Sequence, residues 1–211
     1  MKRRGFCLAV TGGIACGKST VCDLFRRWGA EIWDADEEAH ALLAPGGAAV
    51  KKLIRSFGTR ILASDGSIDR RRLGEIVFAD PAALSHLNAI THPAILRAGR
   101  RFAATVRRRR VPGAAAIPLF FECGMRPGRT WPAVLCITAT RDTMLRRLLA
   151  RGLTEDQALA RIASQWPVNE KAALSTDVIE NDGPLSTLET QALSIFTRHF
   201  GHPPTFLPPP T

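Results

Sequence analysis

The sequence has no long apolar run. A membrane-spanning helix needs roughly 18 consecutive apolar residues, and no segment of the 211 residues approaches that length. No internal repeat is present either. The basic start, Met1-Lys2-Arg3-Arg4, superficially resembles a signal peptide, but the apolar stretch behind it is too short. We therefore expect neither a membrane anchor nor a secretion signal.

Cysteine is scarce, and its pattern argues against a framework of disulfide bonds and against a cysteine metal site. The number is odd and no pair has the spacing of metal ligands, the positions being Cys7, Cys16, Cys22, Cys123 and Cys136. Four of them lie in or beside apolar segments, where a reduced cysteine packs as a small hydrophobic residue. We expect Cys16 to be an inert small residue rather than a redox group. The sequence thus favours a cytoplasmic protein with reduced thiols.

Acidic residues are outnumbered by basic ones, 19 to 29, and the formal net charge is +10. Two partners fit this excess, a nucleic acid or a highly phosphorylated small molecule. Much of the charge lies in two runs, Arg70-Arg71-Arg72 and Arg107-Arg108-Arg109-Arg110. The second run is typical of a solvent-facing helix end. Because no recognised nucleic-acid module accompanies the charge, we expect a small phosphorylated partner.

The most informative stretch is Gly12-Gly13-Ile14-Ala15-Cys16-Gly17-Lys18-Ser19. It fits G-x-x-x-x-G-K-[ST], the phosphate-binding loop, and it lies between an apolar strand pattern and an amphipathic helix pattern as that motif requires. Glycines let the backbone N–H groups point inward at a polyphosphate. We expect ATP to be bound by Gly12, Gly13, Ala15, Cys16, Gly17, Lys18, Ser19 and Thr20. Lys18 would reach the β- and γ-phosphates, and the Ser19 hydroxyl would bind Mg²⁺.

Two carboxylates follow the second predicted strand, Ala30-Glu31-Ile32-Trp33. Asp34 and Asp36 would stand at the carboxyl end of that strand, where open α/β sheets bind ligands. One of them could accept the proton of an attacking hydroxyl. The alternative is that they cap the following helix, and one aspartate can cap while the other acts.

Residues 38 to 110 are predicted to be mostly helical. Helices are indicated around Val50–Phe57, after Asp80-Pro81, and from about Ala94 to the arginine run. The segment is too long for a single crossover, so we predict a helical substrate subdomain inserted into a sheet domain. The chain would thus be one domain over 1–200, with core segments 5–36, 111–139 and 176–198 and a proline-rich tail over 201–211.

The apolar run Ala114–Phe121 predicts a strand that ends at Glu122. Phosphate-loop proteins place a second Mg²⁺-associated carboxylate at such a position, so Glu122 is a candidate for the substrate site. Beyond it, two arginine-bearing helices joined by a short turn are typical of a lid over phosphates, at about 140–172. Thr140 and the pair Thr154 and Gln157 are predicted to cap these helices. Surface solvation is the simpler interpretation for Arg141 and Arg146.

Together these motifs resemble the bacterial dephospho-coenzyme A kinase family over about residues 5–195. The combination of Thr11-Gly12-Gly13-Ile14 with Asp34-Ala35-Asp36 is specific, and the further matching pieces include Arg70, Phe78, His92-Pro93, Ile117–Glu122, Arg161 with Gln165, and Val178–Asn181. The resemblance implies an α/β phosphate-loop kinase with a five-stranded parallel sheet flanked by helices. It implies transfer of the ATP γ-phosphoryl group to the ribose 3′-hydroxyl of dephospho-coenzyme A, the last step of coenzyme A biosynthesis.

The resemblance also implies roles for individual residues. Asp36 would accept or orient the proton of the 3′-hydroxyl, and Arg147 and Arg151 would be catalytic lid cations beside Lys18. Arg70 and His92 would lie toward the acceptor, and Asn181 near the adenine. The chain departs from the family pattern in three places: a lid turn one residue shorter at Arg151–Thr154, Ser175-Thr176 before the last strand, and Ala116 where an acid is common.

Two other functions remain open at this stage. A nucleoside or nucleoside-monophosphate kinase would use the same loop and lid, and only the choice of acceptor would separate it. A nucleotide-gated nucleic-acid-binding protein would instead use the arginine runs, with salt-dependent affinity. The oligomeric state, monomer or small homo-oligomer, is not specified by the sequence.

Overall fold

A computed structural model describes residues 5–201, and for Phe78 only its backbone. It contains one sheet, with strands β1 (Cys7–Gly12), β2 (Glu31–Asp34), β3 (Gly113–Ala116), β4 (Ala133–Thr138) and β5 (Asp177–Glu180), in the order β2-β3-β1-β4-β5. The pairings of β1 with β3 and β4, and of β4 with β5, are parallel. This confirms the predicted five-stranded parallel sheet. The proline-rich tail lies outside the described residues except for Gly201.

The α-helices are α1 (Lys18–Arg27), α2 (Ala35–Leu43), α3 (Val50–Phe57), α4 (Arg70–Ala79), α5 (Pro81–Arg109), α6 (Arg141–Leu149), α7 (Glu155–Ala163), α8 (Val168–Ala173) and α9 (Leu185–Phe200), and a short 3-10 helix spans Thr59–Ile61. No helix in the described part of the chain is long and apolar enough to cross a membrane. The central strand β1 is buried at every residue. Because its neighbours β3 and β4 lie on opposite sides, the loop after β1 occupies the switch point where open α/β sheets bind ligands.

Side-chain caps fix several helix starts as the sequence predicts. The Thr140 hydroxyl accepts a hydrogen bond from the N–H of Thr143 at the start of α6. Thr154 and Gln157 form a reciprocal capping box at α7. These caps satisfy N–H groups that have no partner within a helix.

The chain divides into two compact units. Among the described residues, the first comprises 5–33 and 102–201 and contains most of the sheet, and the second comprises 34–101. In the first unit, an aromatic cluster of Phe25, Trp28, Phe196 and Phe200 joins α1 to α9. The second unit has its own apolar core, built around Leu53, Phe57, Ile61, Leu73 and Val77.

The sequence predicted one helix after Asp80-Pro81 and a separate one from about Ala94, and this separation is wrong. Instead α5 continues through Pro93 as one helix of 29 residues. Proline removes one backbone hydrogen bond and usually kinks or ends a helix. Here Leu87 and Ile90 before the proline, and Ala94 after it, all pack against the core of the second unit. Burial of apolar side chains on both sides of Pro93 therefore outweighs the local cost.

The predicted strand over Ala114–Phe121 is also wrong in length. Strand β3 ends at Ala116, and residues 118–124 form successive turns in which Phe120 and Phe121 are buried. Pro118 has no N–H to donate to the ladder. Glu122 therefore lies in a turn six residues after β3, and not at the end of a strand.

Candidate functional site

The loop between β1 and α1 has a backbone that only small residues fit. Gly12 has φ +139°, and a Cβ there would lie 2.1 Å from the carbonyl oxygen of Ile137. Gly17 has φ +100°, and a Cβ would lie 2.4 Å from Nδ2 of Asn181. Ala15 has a left-handed φ of 57°, which is uncommon for a residue with a side chain. Such a backbone, leading into the N-terminus of α1, forms an anion-binding concavity.

Lys18 lies folded over the first residues of this loop. Its Nζ donates to the carbonyl oxygens of Gly13, at 2.7 Å, and Gly12, at 3.2 Å. Ser19, in the first turn of α1, is exposed. The structure thus keeps the cation at the start of the loop and a hydroxyl at the helix N-terminus, the two groups that the motif requires for phosphates and Mg²⁺.

Arg147 and Asn181 bind the outer side of the loop. The Arg147 guanidinium donates to the carbonyl oxygens of Ala15, at 3.1 Å, and Asn181, at 2.9 Å. The Asn181 side-chain amide donates to the carbonyl oxygen of Cys16, at 2.8 Å, in a buried hydrogen bond. These bonds satisfy the carbonyl groups of Ala15 and Cys16 and leave the loop N–H groups as the donors that the motif directs at an anion. Both residues therefore position the loop through its backbone.

A cavity of about 190 Å³ lies at the α1 end of the loop, and we call it the α1-side cavity. Arg151 is exposed and lines it together with Arg147, despite the short lid turn. The remaining lining residues are Ala15, Gly17, Thr20, Asn181, Gly183, Leu185 and Leu188. The cavity therefore combines two cations with an apolar wall, as a nucleotide requires for its phosphates and base.

Helices α6 and α7, which belong to the predicted lid, are in contact with the loop. Leu148 of α6 and Ala158 of α7 are buried in a cluster with Ala15, and Ile14 packs against the same cluster. Arg141 and Arg146 are exposed, which agrees with the simpler interpretation that they are solvated surface residues. The arginines at 107–110 and at 70–72 are exposed as well.

Glu122, a candidate substrate ligand, is engaged in a buried ion pair. Its Oε1 lies 2.5 Å from Nζ of Lys171 and accepts the N–H of Trp166 at 3.3 Å. Lys171 is 0% exposed and donates also to the carbonyl oxygen of Pro118, which accepts the Thr11 hydroxyl as well. The other carboxylate oxygen, Oε2, is buried without a hydrogen-bond partner among the described residues. Through the shared carbonyl oxygen of Pro118, Lys171 thus links α8 to Thr11 of β1, just before the loop.

Lys171 is the residue that sequence reasoning missed. Lysine is almost never fully buried unless it is paired, so nothing in its local sequence distinguishes it from a surface residue. The only available signal was Glu122, because an acid at the end of an apolar run needs a partner when it is buried.

The other predicted site residues belong to the second unit. Asp34 caps α2, since its Oδ1 accepts the N–H groups of Asp36, at 2.7 Å, and Glu37, at 3.3 Å. Of the two roles that the sequence left open, the structure assigns the capping role to Asp34, and the carboxylate of Asp36 is exposed in the first turn of α2. Arg70 is exposed at the start of α4, and His92 is half-buried, with a pKa lowered by that burial.

Cys16 shows no sign of a reactive thiol. Burial raises its pKa, although the charges of Lys18 and Arg147 and two backbone hydrogen bonds oppose the effect. A protonated thiol is a poor nucleophile and a poor metal ligand. All five cysteines are free, and Cys16 fills the space beside Gly13, where a Cβ would lie 2.8 Å from its Sγ.

The donor set suits Mg²⁺ bound largely through phosphates. Among the residues that the structure describes, no group of three or more His, Cys, Asp or Glu side chains could hold a metal ion alone. Mg²⁺ usually keeps several waters and binds through one or two protein oxygens plus substrate phosphates. The exposed Ser19 hydroxyl fits that mode of binding.

Comparison with known sequences supports a kinase. The family described as dephospho-CoA kinase matches residues 6–187. The dephospho-CoA kinase of Geobacter sulfurreducens is 41% identical over 197 residues, which cover 92% of this chain and 98% of that protein. The dephospho-CoA kinase of Anaeromyxobacter dehalogenans is 43% identical over 187 residues, 88% of each chain.

Comparison with solved structures gives the same result. A crystal structure from Thermus thermophilus matches with a TM-score of 0.73 and 32% identity, covering 92% of this chain and 97% of that one. A dephospho-CoA kinase from Campylobacter jejuni matches with a TM-score of 0.64 and 26% identity, covering 93% and 98%. The similarity therefore includes nearly the whole described chain, and not the phosphate loop alone.

Proposed function

The chain belongs to the dephospho-CoA kinase family, and on that premise we propose that it phosphorylates the ribose 3′-hydroxyl of dephospho-CoA with ATP, giving CoA and ADP. The observation that carries this proposal is the family match over residues 6–187. The phosphate loop alone would not be enough, because kinases of many substrates share it. No observation favours a nucleoside kinase or a nucleic-acid-binding protein.

In the proposed reaction, an oxygen–phosphorus bond forms between the 3′-hydroxyl and the γ-phosphorus, and the bond from that phosphorus to the β,γ-bridging oxygen breaks. Catalysis of such a transfer consists mainly of positioning and charge stabilisation. Lys18 and the loop N–H groups would hold the phosphates and neutralise the charge that develops on the leaving ADP. Arg151, which lines the α1-side cavity, would add a second cation.

Asp36 would receive the proton that the 3′-hydroxyl loses. Its support is chemical, since capping of α2 is performed by Asp34 and leaves the Asp36 carboxylate exposed. Arg70 and His92 of the same unit would bind the acceptor, with His92 neutral at physiological pH because burial lowers its pKa. Glu122 would contribute indirectly, through its ion pair with Lys171.

Mg²⁺ would be held by Ser19 and by phosphate oxygens. When bound, it would neutralise charge on the transferring phosphoryl group. We further propose that the protein acts in the cytoplasm, where its five free thiols would stay reduced. The expected monomer or small oligomer stays a prediction.

Acceptor choice tests this function. Purified protein is incubated with ATP and Mg²⁺ and with dephospho-CoA, AMP, CMP or a nucleoside, and ADP release and CoA formation are both followed. We expect CoA to form and the other acceptors to give little turnover. Turnover of AMP or a nucleoside in preference to dephospho-CoA would refute the proposal.

A further inference from the structure

A second cavity of about 320 Å³ lies beside the phosphate loop, and we call it the lid-side cavity. It is formed by the first part of the loop, by the start of α6, and by the segment that joins α7 to α8. Its lining residues include Gly13, Ile14, Met144, Gln165, Trp166 and Val168. All belong to the first unit. The roles proposed so far leave this cavity unused.

The two cavities lie at opposite ends of the phosphate loop. The α1-side cavity is lined by Gly17 and Thr20, and the lid-side cavity by Gly13 and Ile14. Nζ of Lys18, the group that reaches the β- and γ-phosphates in this motif, lies on the carbonyl groups of Gly12 and Gly13. The terminal phosphate therefore belongs at the Gly13 end of the loop. The lid-side cavity lies next to the phosphoryl group to be transferred, whereas the donor's base belongs at the other end.

The lining of the lid-side cavity suits a flat ring with a polar edge. Most of it is apolar, and Trp166 is a large aromatic residue that is 39% exposed. Met144 adds a thioether, which contacts aromatic rings favourably. A volume of about 320 Å³ is at the low end for small-molecule sites, which run from about 300 to 1,000 Å³. It would hold one ring system and not a long flexible chain in addition.

One polar group in the lining lacks a partner. Gln165 Oε1 is buried and has no hydrogen-bond partner among the described residues. An unsatisfied buried acceptor is costly and deserves an explanation. The terminal torsion of glutamine is broad, so the amide can turn toward a bound molecule. A carboxamide carries both a donor and an acceptor, and it pairs with the N6 and N7 atoms of adenine through two hydrogen bonds.

We propose that the lid-side cavity binds the adenine ring of the acceptor, with Gln165 recognising its 6-amino edge and Trp166 packing on its face. This inference rests on the proposed function, because only an adenosine-containing acceptor brings a second adenine to the loop. The ribose is bonded directly to the base. An adenine beside Gly13 therefore puts the 3′-hydroxyl within one sugar ring of the loop end that carries the terminal phosphate.

The test compares two variants with a matched control. Gln165→Leu removes the amide and keeps the approximate size, and Trp166→Ala removes the aromatic face. Loss of the stacking face in Trp166→Ala and loss of the paired amide in Gln165→Leu should each raise KM for dephospho-CoA about fivefold or more. KM for ATP should stay within about twofold of wild type. Leu174→Ala, an exposed apolar residue outside the cavity, should change neither.

An acceptor analogue tests the recognition of the base itself. Its base is purine, which is adenine without the 6-amino group. With wild-type protein, kcat/KM should fall about tenfold, the effect of leaving one buried acceptor unpaired. With Gln165→Leu, the analogue and dephospho-CoA should be used about equally well. A merely structural role of Gln165 would lower activity with both acceptors and preserve the discrimination.

Each other outcome overturns the inference. A rise of KM for ATP alone would assign the lid-side cavity to the donor. Unchanged constants in both variants would show that no base binds there. If wild-type protein does not phosphorylate dephospho-CoA at all, the proposed function fails and the inference fails with it. If wild-type protein phosphorylates dephospho-CoA and both variants keep its KM for dephospho-CoA, only the adenine site is refuted and the proposed function stands.

Discussion

Removal of the buried ammonium of Lys171 should destabilise the protein strongly. In Lys171→Met the side chain keeps its approximate length and loses its charge. Glu122 then keeps only the N–H of Trp166 as a hydrogen-bond donor among the contacts described above. Breaking a buried pair by removing one partner costs about 3–5 kcal/mol, because the other charge is left uncompensated. We expect the free energy of unfolding to fall by about that amount.

The second variant removes both charges. In Glu122→Gln with Lys171→Met, neither charge of this pair remains, and replacement of a whole buried pair is often neutral or stabilising. We therefore expect the double variant to regain at least half of the loss seen in Lys171→Met. Glu122→Gln alone should also be destabilised, since Lys171 would then be a fully buried cation facing only neutral groups. The difference between the double variant and the sum of the single variants measures the interaction.

The measurement is urea unfolding at neutral pH, followed by tryptophan fluorescence, since Trp28 and Trp131 are both buried in the first unit. Lys52→Met is the matched control because Lys52 is exposed, and its effect should stay within about 0.5 kcal/mol. A loss below about 1 kcal/mol in Lys171→Met would refute the reasoning. The reasoning would also be refuted if the free energy of unfolding of the double variant fell by the full sum of the two single-variant losses.

Three further predictions concern the chemistry, the loop and acid stability. Asp36→Asn should lower kcat by about 10²–10⁴-fold, because the proton acceptor is removed. ATP binding, measured by calorimetry, should be unchanged. Near-normal turnover would exclude a role of Asp36 as the base. Arg147→Lys keeps the charge but loses the planar guanidinium that donates to the carbonyl groups of both Ala15 and Asn181. KM for ATP should therefore rise about tenfold or more, and an unchanged KM would show that the loop does not depend on this contact. Burial alone would raise the pKa of Asp177, but hydrogen bonds from His199, Thr176 and Arg198 and the His199 charge outweigh it, so the pKa lies below its ordinary 3.8. The carboxylate therefore stabilises the fold above about pH 4 and this contribution is lost as the pH falls through the lowered pKa; acid unfolding of Asp177→Asn should be less steep in that range, and an identical pH profile would contradict the assignment.

Local signals were sufficient where a local interaction decides the structure. The capping residues Thr140 and Thr154 and the start of α5 at Pro81 were all predicted from neighbouring residues. A capping hydroxyl and the N–H group that it satisfies are within three residues of each other, so the sequence contains the whole interaction. The phosphate loop is of the same kind, because its glycine spacing prescribes the backbone that the phosphates need.

Local signals failed where distant residues decide the structure. Pro93 is a strong local signal for a break, but it was overruled by apolar contacts of α5 with the core of the second unit. The apolar run before Glu122 was interpreted as one strand because burial in a turn and burial in a strand look alike in a sequence. Phe120 and Phe121 are buried, but they lie in turns beyond Pro118.

The sequence by itself determined the family, the phosphate loop and the parallel α/β architecture, because each depends on residue types at fixed spacings along the chain. Only the tertiary structure decided what individual polar side chains do. Arg147 donates to the carbonyl groups of Ala15 and Asn181, Asn181 donates to that of Cys16, and Glu122 pairs with Lys171. These contacts join residues that are 34 to 165 positions apart. Partners at such separations are brought together only by folding, and a carboxylate or a guanidinium has the same local sequence signal whether it holds a substrate or the protein backbone.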